Sequence, residues 1–136
     1  MVAILGEAGG GSKAALWSGR AMTALVVLFL VLDSGIKLLQ LPAVREAMAP
    51  LGYPAELGLV IGLIEAACLM LYVIPQTAVL GAILLTGLLG GAAAAHLRVG
   101  DPLLTHVLFG VYVGILAWGG LYLRDEKLRT LIPLRR

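Results

Sequence analysis

The sequence predicts an all-α integral membrane protein that folds as an antiparallel four-helix bundle. The first observation is compositional. Hydrophobic residues make up 60% of the 136 residues and charged residues only 13%, whereas soluble domains carry about 25% charged residues. The second is the presence of four apolar segments of membrane-spanning length. The third is that residues 66–97 and 102–123 contain no formal charge, which is typical of membrane helices. A soluble domain of this size has too much surface to hide so much apolar area.

The elements follow in order along the chain. Residues 1–15, which contain Gly9-Gly10-Gly11-Ser12, are predicted to be a flexible cytoplasmic tail. A single domain is expected over residues 16–134, with helices at about 16–39, 55–74, 76–97 and 102–123. Each of these segments is long enough to cross about 30 Å of hydrocarbon at 1.5 Å per residue.

The connections between these helices are marked by prolines and a glycine. Pro75 separates the second helix from the third, and Gly100-Asp101-Pro102 separates the third from the fourth. Proline suits the first turn of a helix. The longer connection 40–54 contains a segment, residues 42–48, that we expect to form a short helix at the membrane interface.

The distribution of basic residues predicts the orientation. Four spans place both termini on one side, and that side carries seven basic residues: Lys13, Arg20, Arg124, Lys127, Arg129, Arg135 and Arg136. The opposite side carries three, at Lys37, Arg45 and Arg98. Because basic residues are enriched in cytoplasmic loops, we expect both termini to lie in the cytoplasm, in a bacterial cytoplasmic membrane.

Small residues recur at four-residue spacing within the helices. Gly58, Gly62 and Ala66 form one such row, and Gly87, Gly91 and Ala95 form another. Rows of this kind let helix backbones approach closely in lipid. We expect them to pack the bundle, and the sequence leaves open whether one of them also mediates a homo-oligomer.

The most informative residues are the ionisable ones within the spans, because such residues are costly in a membrane and are often functional. The candidates are Asp33, Lys37, Glu65, His96 and His106. The predicted topology places all five in the outer half or the middle of the bundle. Their convergence predicts a polar pocket there. The opposite half of the spans has no acidic residue or histidine to relay protons, so proton-coupled transport ranks lowest among the possible functions.

Spacing gives further detail about these residues. Asp33 and Lys37 are four residues apart and can form an ion pair on one helical face. Glu65 is expected to be protonated or to pair across helices with Lys37 or a histidine. Tyr72, seven residues later, shares its face and is included in the predicted pocket. The alternative for every one of these residues is a structural contact that only holds the bundle together.

Other classes of site have little support in the sequence. The two histidines would allow a haem or metal site, but their spacing is not distinctive, and we expect no metal. The single cysteine, Cys68, excludes an intrachain disulfide, a CxxC redox pair and a zinc site built from cysteines. A net charge of +2 gives no reason to expect nucleic-acid binding.

An ordered set of short motifs over residues 16–134 resembles the DoxX-like family of small four-span membrane proteins. The motifs that carry the resemblance are Trp17-x2-Arg20, Asp33-x3-Lys37, Pro42-x3-Glu46, Leu51-Gly52-Tyr53-Pro54, Leu63-Ile64-Glu65, Leu71-Tyr72-Val73-Ile74-Pro75-x-Thr77-Ala78, His96-Leu97-Arg98-Val99-Gly100-Asp101-Pro102, His106 and Trp118-Gly119-Gly120-Leu121-Tyr122-Leu123-Arg124-Asp125. The resemblance implies the four-helix fold and an association with quinone-linked membrane redox systems.

Two functional hypotheses follow. In the first, the pocket binds a small amphipathic or quinone-like molecule, and the protein works with a redox partner in the lipid bilayer. Glu65 or a histidine would then exchange protons with the ligand, while Lys37 or His106 would hydrogen-bond its oxygen. In the second, the protein is a non-catalytic scaffold or chaperone for other membrane chains. The sequence leaves open whether any reaction is catalysed.

Overall fold

The computed structural model describes residues 2–132, with side chains described over residues 13–132. Within that range the chain forms helices and no strand. The helices are α1 (Val2–Leu38), α2 (Pro42–Met48), α3 (Leu57–Val73), α4 (Ala78–Arg98), α5 (Phe109–Arg124) and α6 (Glu126–Leu131). The end of the predicted domain at 134, with Arg135 and Arg136, lies outside the described residues.

Three segments are long and apolar enough to cross a membrane: Lys13–Leu38, Ala78–Arg98 and Leu103–Arg124. The apolar helix α3 has 17 residues, which corresponds to a length of about 25 Å, at the short end of the spanning range. These three segments and α3 overlap the four predicted helices. The chain is an integral membrane protein by composition and helix length.

The helix boundaries differ from the predicted ones at several places, and α5, predicted from residue 102, begins only at Phe109. The backbone of α1 is helical from Val2, where a flexible tail is predicted over residues 1–15; lengthening an existing helix avoids the cost of nucleating a new one. Helix α3 stops at Val73 because Ile74 is extended, as a residue before proline prefers. Helix α4 begins two residues later than expected, because the backbone angles of Thr77 are not helical; its hydroxyl donates to the carbonyl of Leu71 (2.7 Å) within the turn.

The helices pack in a closed order, in which α1 contacts α3 and α5, and α4 contacts the same two helices. The buried core is apolar, with side chains such as Leu30, Leu85 and Leu121 almost fully enclosed. Glycines permit close approaches. A Cβ at Gly81 would overlap the backbone nitrogen and Cα of Tyr72, so α3 and α4 meet backbone to backbone.

Two irregular features shape the end of the molecule where α1 and α4 terminate. The short helix α2, predicted over residues 42–48, packs on α3, where a Cβ at Gly58 would lie 2.9 Å from a methyl carbon of Val44. Before α5 the residues Leu103–Val107 form one π-helical turn, with the Leu108 amide donating to the carbonyl five residues earlier (2.9 Å). Such turns are frequent at functional sites.

Candidate functional site

The ammonium group of Lys37 binds two carboxylates from different helices. It donates to Oδ2 of Asp33, one turn earlier on α1, and to Oε2 of Glu65 on α3 at 2.7 Å. The first contact is the predicted ion pair between residues four apart. The second links two helices through residues that are 28 positions apart in the sequence.

A glycine on α3 makes the second contact possible. A Cβ at Gly62 would lie only 2.7 Å from the Cβ of Lys37, so a larger residue would push the two helices apart. Glu65 lies three residues further along the same face of α3, within reach of the ammonium. Gly58 and Gly62 therefore let α3 pack closely against α2 and α1, which agrees with the predicted role of these glycines.

Glu65 is enclosed and only partly satisfied. Its side chain is 2% exposed. Its Oε2 accepts from Lys37, whereas Oε1 has no hydrogen-bond partner among the described residues. A buried acceptor without a partner costs about 1–3 kcal/mol, and more when it is charged. Glu65 is therefore a group that still needs a donor.

The two histidines lie side by side at the ends of α4 and the π-helical turn. The ring centroids of His96 and His106 are 5.7 Å apart at a steep angle. Nδ1 of His96 lies 2.6 Å from Oδ2 of Asp101, and Nδ1 of His106 lies 2.8 Å from the Thr105 hydroxyl. Each ring thus already has one nitrogen engaged, and no group of three metal-ligating side chains forms within residues 13–132.

Five of the six predicted site residues line one cavity of about 560 Å³. They are Asp33, Lys37, Glu65, His96 and His106. Most other walls are apolar: Phe29 and Phe109, which pack edge to face at 5.2 Å, and residues of α2 such as Ala47 and Met48. The cavity therefore combines a charged cluster with an apolar, partly aromatic enclosure.

The sixth predicted residue, Tyr72, lies elsewhere. Its side chain is fully buried, its hydroxyl donates to the carbonyl of Ala117 on α5 (2.7 Å), and it does not line the cavity. The guanidinium of Arg124 stacks 5.8 Å from its ring. Although Tyr72 and Glu65 are seven residues apart, two helical turns separate them by about 10 Å along the axis, which places Tyr72 nearer the opposite end of α3.

A smaller cavity of about 290 Å³ adjoins the first and shares Lys37 and Val44 with it. Its other charged lining residues are Arg45 and Glu56. Lys37 consequently lies between a mainly apolar space and a more polar one.

Several features of this site are not apparent from the sequence. Asp101, which the sequence places between the third and fourth helices, is the partner of His96. Gly87 and Gly91, expected to pack helices, have no neighbouring atom within 4 Å of where a Cβ would lie, and they line the large cavity instead. The short helix α2, predicted only to lie at the membrane interface, also forms one wall of the large cavity. Two features of the sequence could have indicated them. The run of small residues on α4 is compatible with a space beside that helix, and Gly100 is compatible with a turn that brings Asp101 back to His96.

Comparison with known proteins identifies the family. The model of the DoxX-like family matches residues 21–120, a range that includes all six predicted site residues. No curated protein and no solved structure matches the chain. Because the match covers well over half of the sequence, in agreement with the resemblance carried by its motifs, the chain belongs to the DoxX-like family.

Proposed function

We propose that this protein binds a small amphipathic molecule in the cavity between its helices. The observation that carries the proposal is that Asp33, Lys37, Glu65, His96 and His106, the five ionisable residues predicted to converge, line one cavity whose other walls are largely apolar. Ligand sites in proteins are typically apolar enclosures with a few convergent polar groups. The polar head of the ligand contacts Lys37, Asp33 and Glu65, and the apolar body lies against Phe29 and Phe109.

The proposal includes the arrangement in the membrane. All four long helices, α3 included, cross the bilayer as an antiparallel bundle with both termini in the cytoplasm of a bacterial cell. The excess of basic residues on the terminal side supports this orientation. The cavity then lies in the outer half of the bundle, where a molecule enters from the lipid or from the outer surface.

A quinone is the ligand that the family resemblance favours. Lys37 and His106 supply donors for a quinone oxygen, and His96, oriented by Asp101, is placed to exchange protons with a bound molecule. In this form of the proposal the protein works with a redox partner in a membrane redox system, since its single cysteine, Cys68, cannot form a dithiol pair of its own.

The test is mass spectrometry of small molecules that co-purify with the protein from native membranes. Wild type is compared with Glu65→Ala, and Glu126→Ala serves as a control because the Glu126 side chain is 88% exposed on α6. We expect one amphipathic species to be retained by wild type and the control and lost from Glu65→Ala. Equal retention by all three proteins, or retention by none, contradicts the proposal.

A second function has its own supporting observation. The polar residues also pair with each other, Lys37 with both carboxylates and His96 with Asp101, as a scaffold or chaperone with a locked bundle requires. In that case filling the cavity leaves the function intact. Partner proteins captured equally by wild type and a cavity-filled variant favour this alternative.

A further inference from the structure

The walls of the large cavity carry more negative than positive charge. Two carboxylates, Asp33 and Glu65, face one ammonium, that of Lys37. Of the other charged groups nearby, Asp101 lies 2.6 Å from Nδ1 of His96 and Arg98 donates to the carbonyl of Leu51, while Arg45 and Glu56 line the smaller cavity. The cluster therefore holds two carboxyl groups for one ammonium group.

An uncompensated charge inside a helix bundle is costly, because the low dielectric does not screen it. The carboxylates also have unused acceptors. Lys37 reaches only Oδ2 of Asp33 and Oε2 of Glu65, and Oε1 of Glu65 has no partner among the described residues. The site is thus deficient in both positive charge and hydrogen-bond donors.

We propose that the occupant of the cavity is a protonated amine carried on an apolar body. This inference rests on the proposed function and specifies the class of ligand. The ammonium of the ligand donates to the free carboxylate oxygens of Glu65 and Asp33 and supplies the missing positive charge. Its apolar part lies against the Phe29–Phe109 pair.

A quinone meets these requirements less well. Its oxygens only accept hydrogen bonds, so it can contact Lys37 or a histidine but cannot satisfy Oε1 of Glu65. It also carries no charge to balance the second carboxylate. Among amphipathic molecules, the carboxylates of Asp33 and Glu65 therefore favour one that carries a positive charge and donates hydrogen bonds.

The test is equilibrium binding of tritiated 4-phenylbutylamine to the purified full chain in phosphatidylcholine nanodiscs. The competitors are the isosteric alcohol 4-phenylbutan-1-ol and decylubiquinone. Asp33→Asn and Glu65→Gln each remove one carboxylate charge, and Glu126→Gln is the control at an exposed site. We expect the amine to bind at least about tenfold more tightly than the alcohol, and each carboxylate variant to lose about tenfold. The control keeps wild-type affinity.

The outcomes separate this inference from the proposed function. If decylubiquinone or the alcohol binds and the amine has no advantage, the amine assignment is wrong while a ligand cavity remains. If none of the three probes binds wild type, both proposals are overturned. Asp33→Asn keeps the test decisive should Glu65→Gln fail to fold, because Asp33 is 30% exposed and therefore less critical for folding.

Discussion

The ammonium nitrogen of Lys37 lies 2.7 Å from Oε2 of Glu65 and joins α1 to α3 at the wall of the larger cavity. Because Glu65 is almost completely enclosed, this contact is a partly buried ion pair rather than a surface one. It controls both the packing of two helices and the charge of the cavity. The following predictions depend on this relationship and on the space around it.

Removing the cation should destabilise the protein strongly. In Lys37→Met, the two carboxylates of Asp33 and Glu65 remain without their shared counter-ion, which costs about 3–5 kcal/mol of unfolding free energy. Adding Glu65→Leu should restore part of this loss, since a buried pair replaced by apolar groups is often tolerated. The measurement is reversible unfolding in mixed micelles, analysed as a double-mutant cycle.

The matched control for that cycle is the exposed pair Arg129–Glu126, whose closest atoms are 3.8 Å apart. Removing Glu126, whose side chain is the exposed one, should change stability by at most about 1 kcal/mol; Arg129 also donates to the carbonyls of Tyr122 and Leu123. Equal effects at the two pairs would show that Lys37 and Glu65 are not coupled in the folded protein.

Two glycines of α4 should respond oppositely to alanine. Gly81→Ala places a Cβ against the backbone of Tyr72, so we expect a loss of about 1–3 kcal/mol from overpacking. Gly87→Ala meets open space and should gain about 0.5–1 kcal/mol from helix propensity. Unfolding of both variants under the same conditions checks this. A comparable loss at both positions contradicts the packing described for α3 and α4.

Asp101 should determine the orientation of the His96 ring. Asp101→Asn removes the carboxylate 2.6 Å from Nδ1 of His96 and therefore a charge-assisted hydrogen bond. We expect the nitrogen-15 NMR signals of His96 to shift and its modification by diethyl pyrocarbonate to accelerate several-fold. The His106 ring, whose Nδ1 is hydrogen-bonded to the Thr105 hydroxyl, is the internal control, because Asp101→Asn should leave its signals unchanged. Unchanged signals at His96 would mean that Asp101 does not position it.

The proposed orientation can be tested by labelling cysteines from either side. In a Cys68→Ala background, Glu46→Cys on α2 should react with an impermeant maleimide in intact cells. Lys127→Cys on α6 should react only after permeabilisation, because the terminal side is expected to face the cytoplasm. The reverse pattern would invert the topology, and labelling of both from outside would rule out an even number of spans.

Much of the site follows from helix geometry alone. The Asp33–Lys37 pair is predictable because residues four apart share a helix face, and the sequence predicts that a charged Glu65 meets Lys37 or a histidine. The same geometry misplaces Tyr72, because a shared face does not imply a shared depth. Two helical turns suffice to move this side chain from the cavity to the core.

Other parts of the site depend on tertiary packing and turn geometry, which a single sequence does not specify. Gly100 has a positive φ of 75°, which ends α4 in a left-handed turn and brings Asp101 back to His96. Small residues have two opposite uses in a bundle. Gly62 brings helices together, whereas Gly91 leaves a space, and only the positions of the neighbouring helices distinguish them.

The most direct test of the central claim is ligand retention in a pair of adjacent glycine variants. Gly91 lines the large cavity and Gly90 does not, although a Cβ at either position would have no neighbouring atom within 4 Å. Mass spectrometry should therefore find the co-purifying amphipathic molecule in wild type and Gly90→Leu, and at least about tenfold less of it in Gly91→Leu, with both variants equally folded. Equal amounts in Gly91→Leu and Gly90→Leu would contradict the claim that the molecule occupies this cavity.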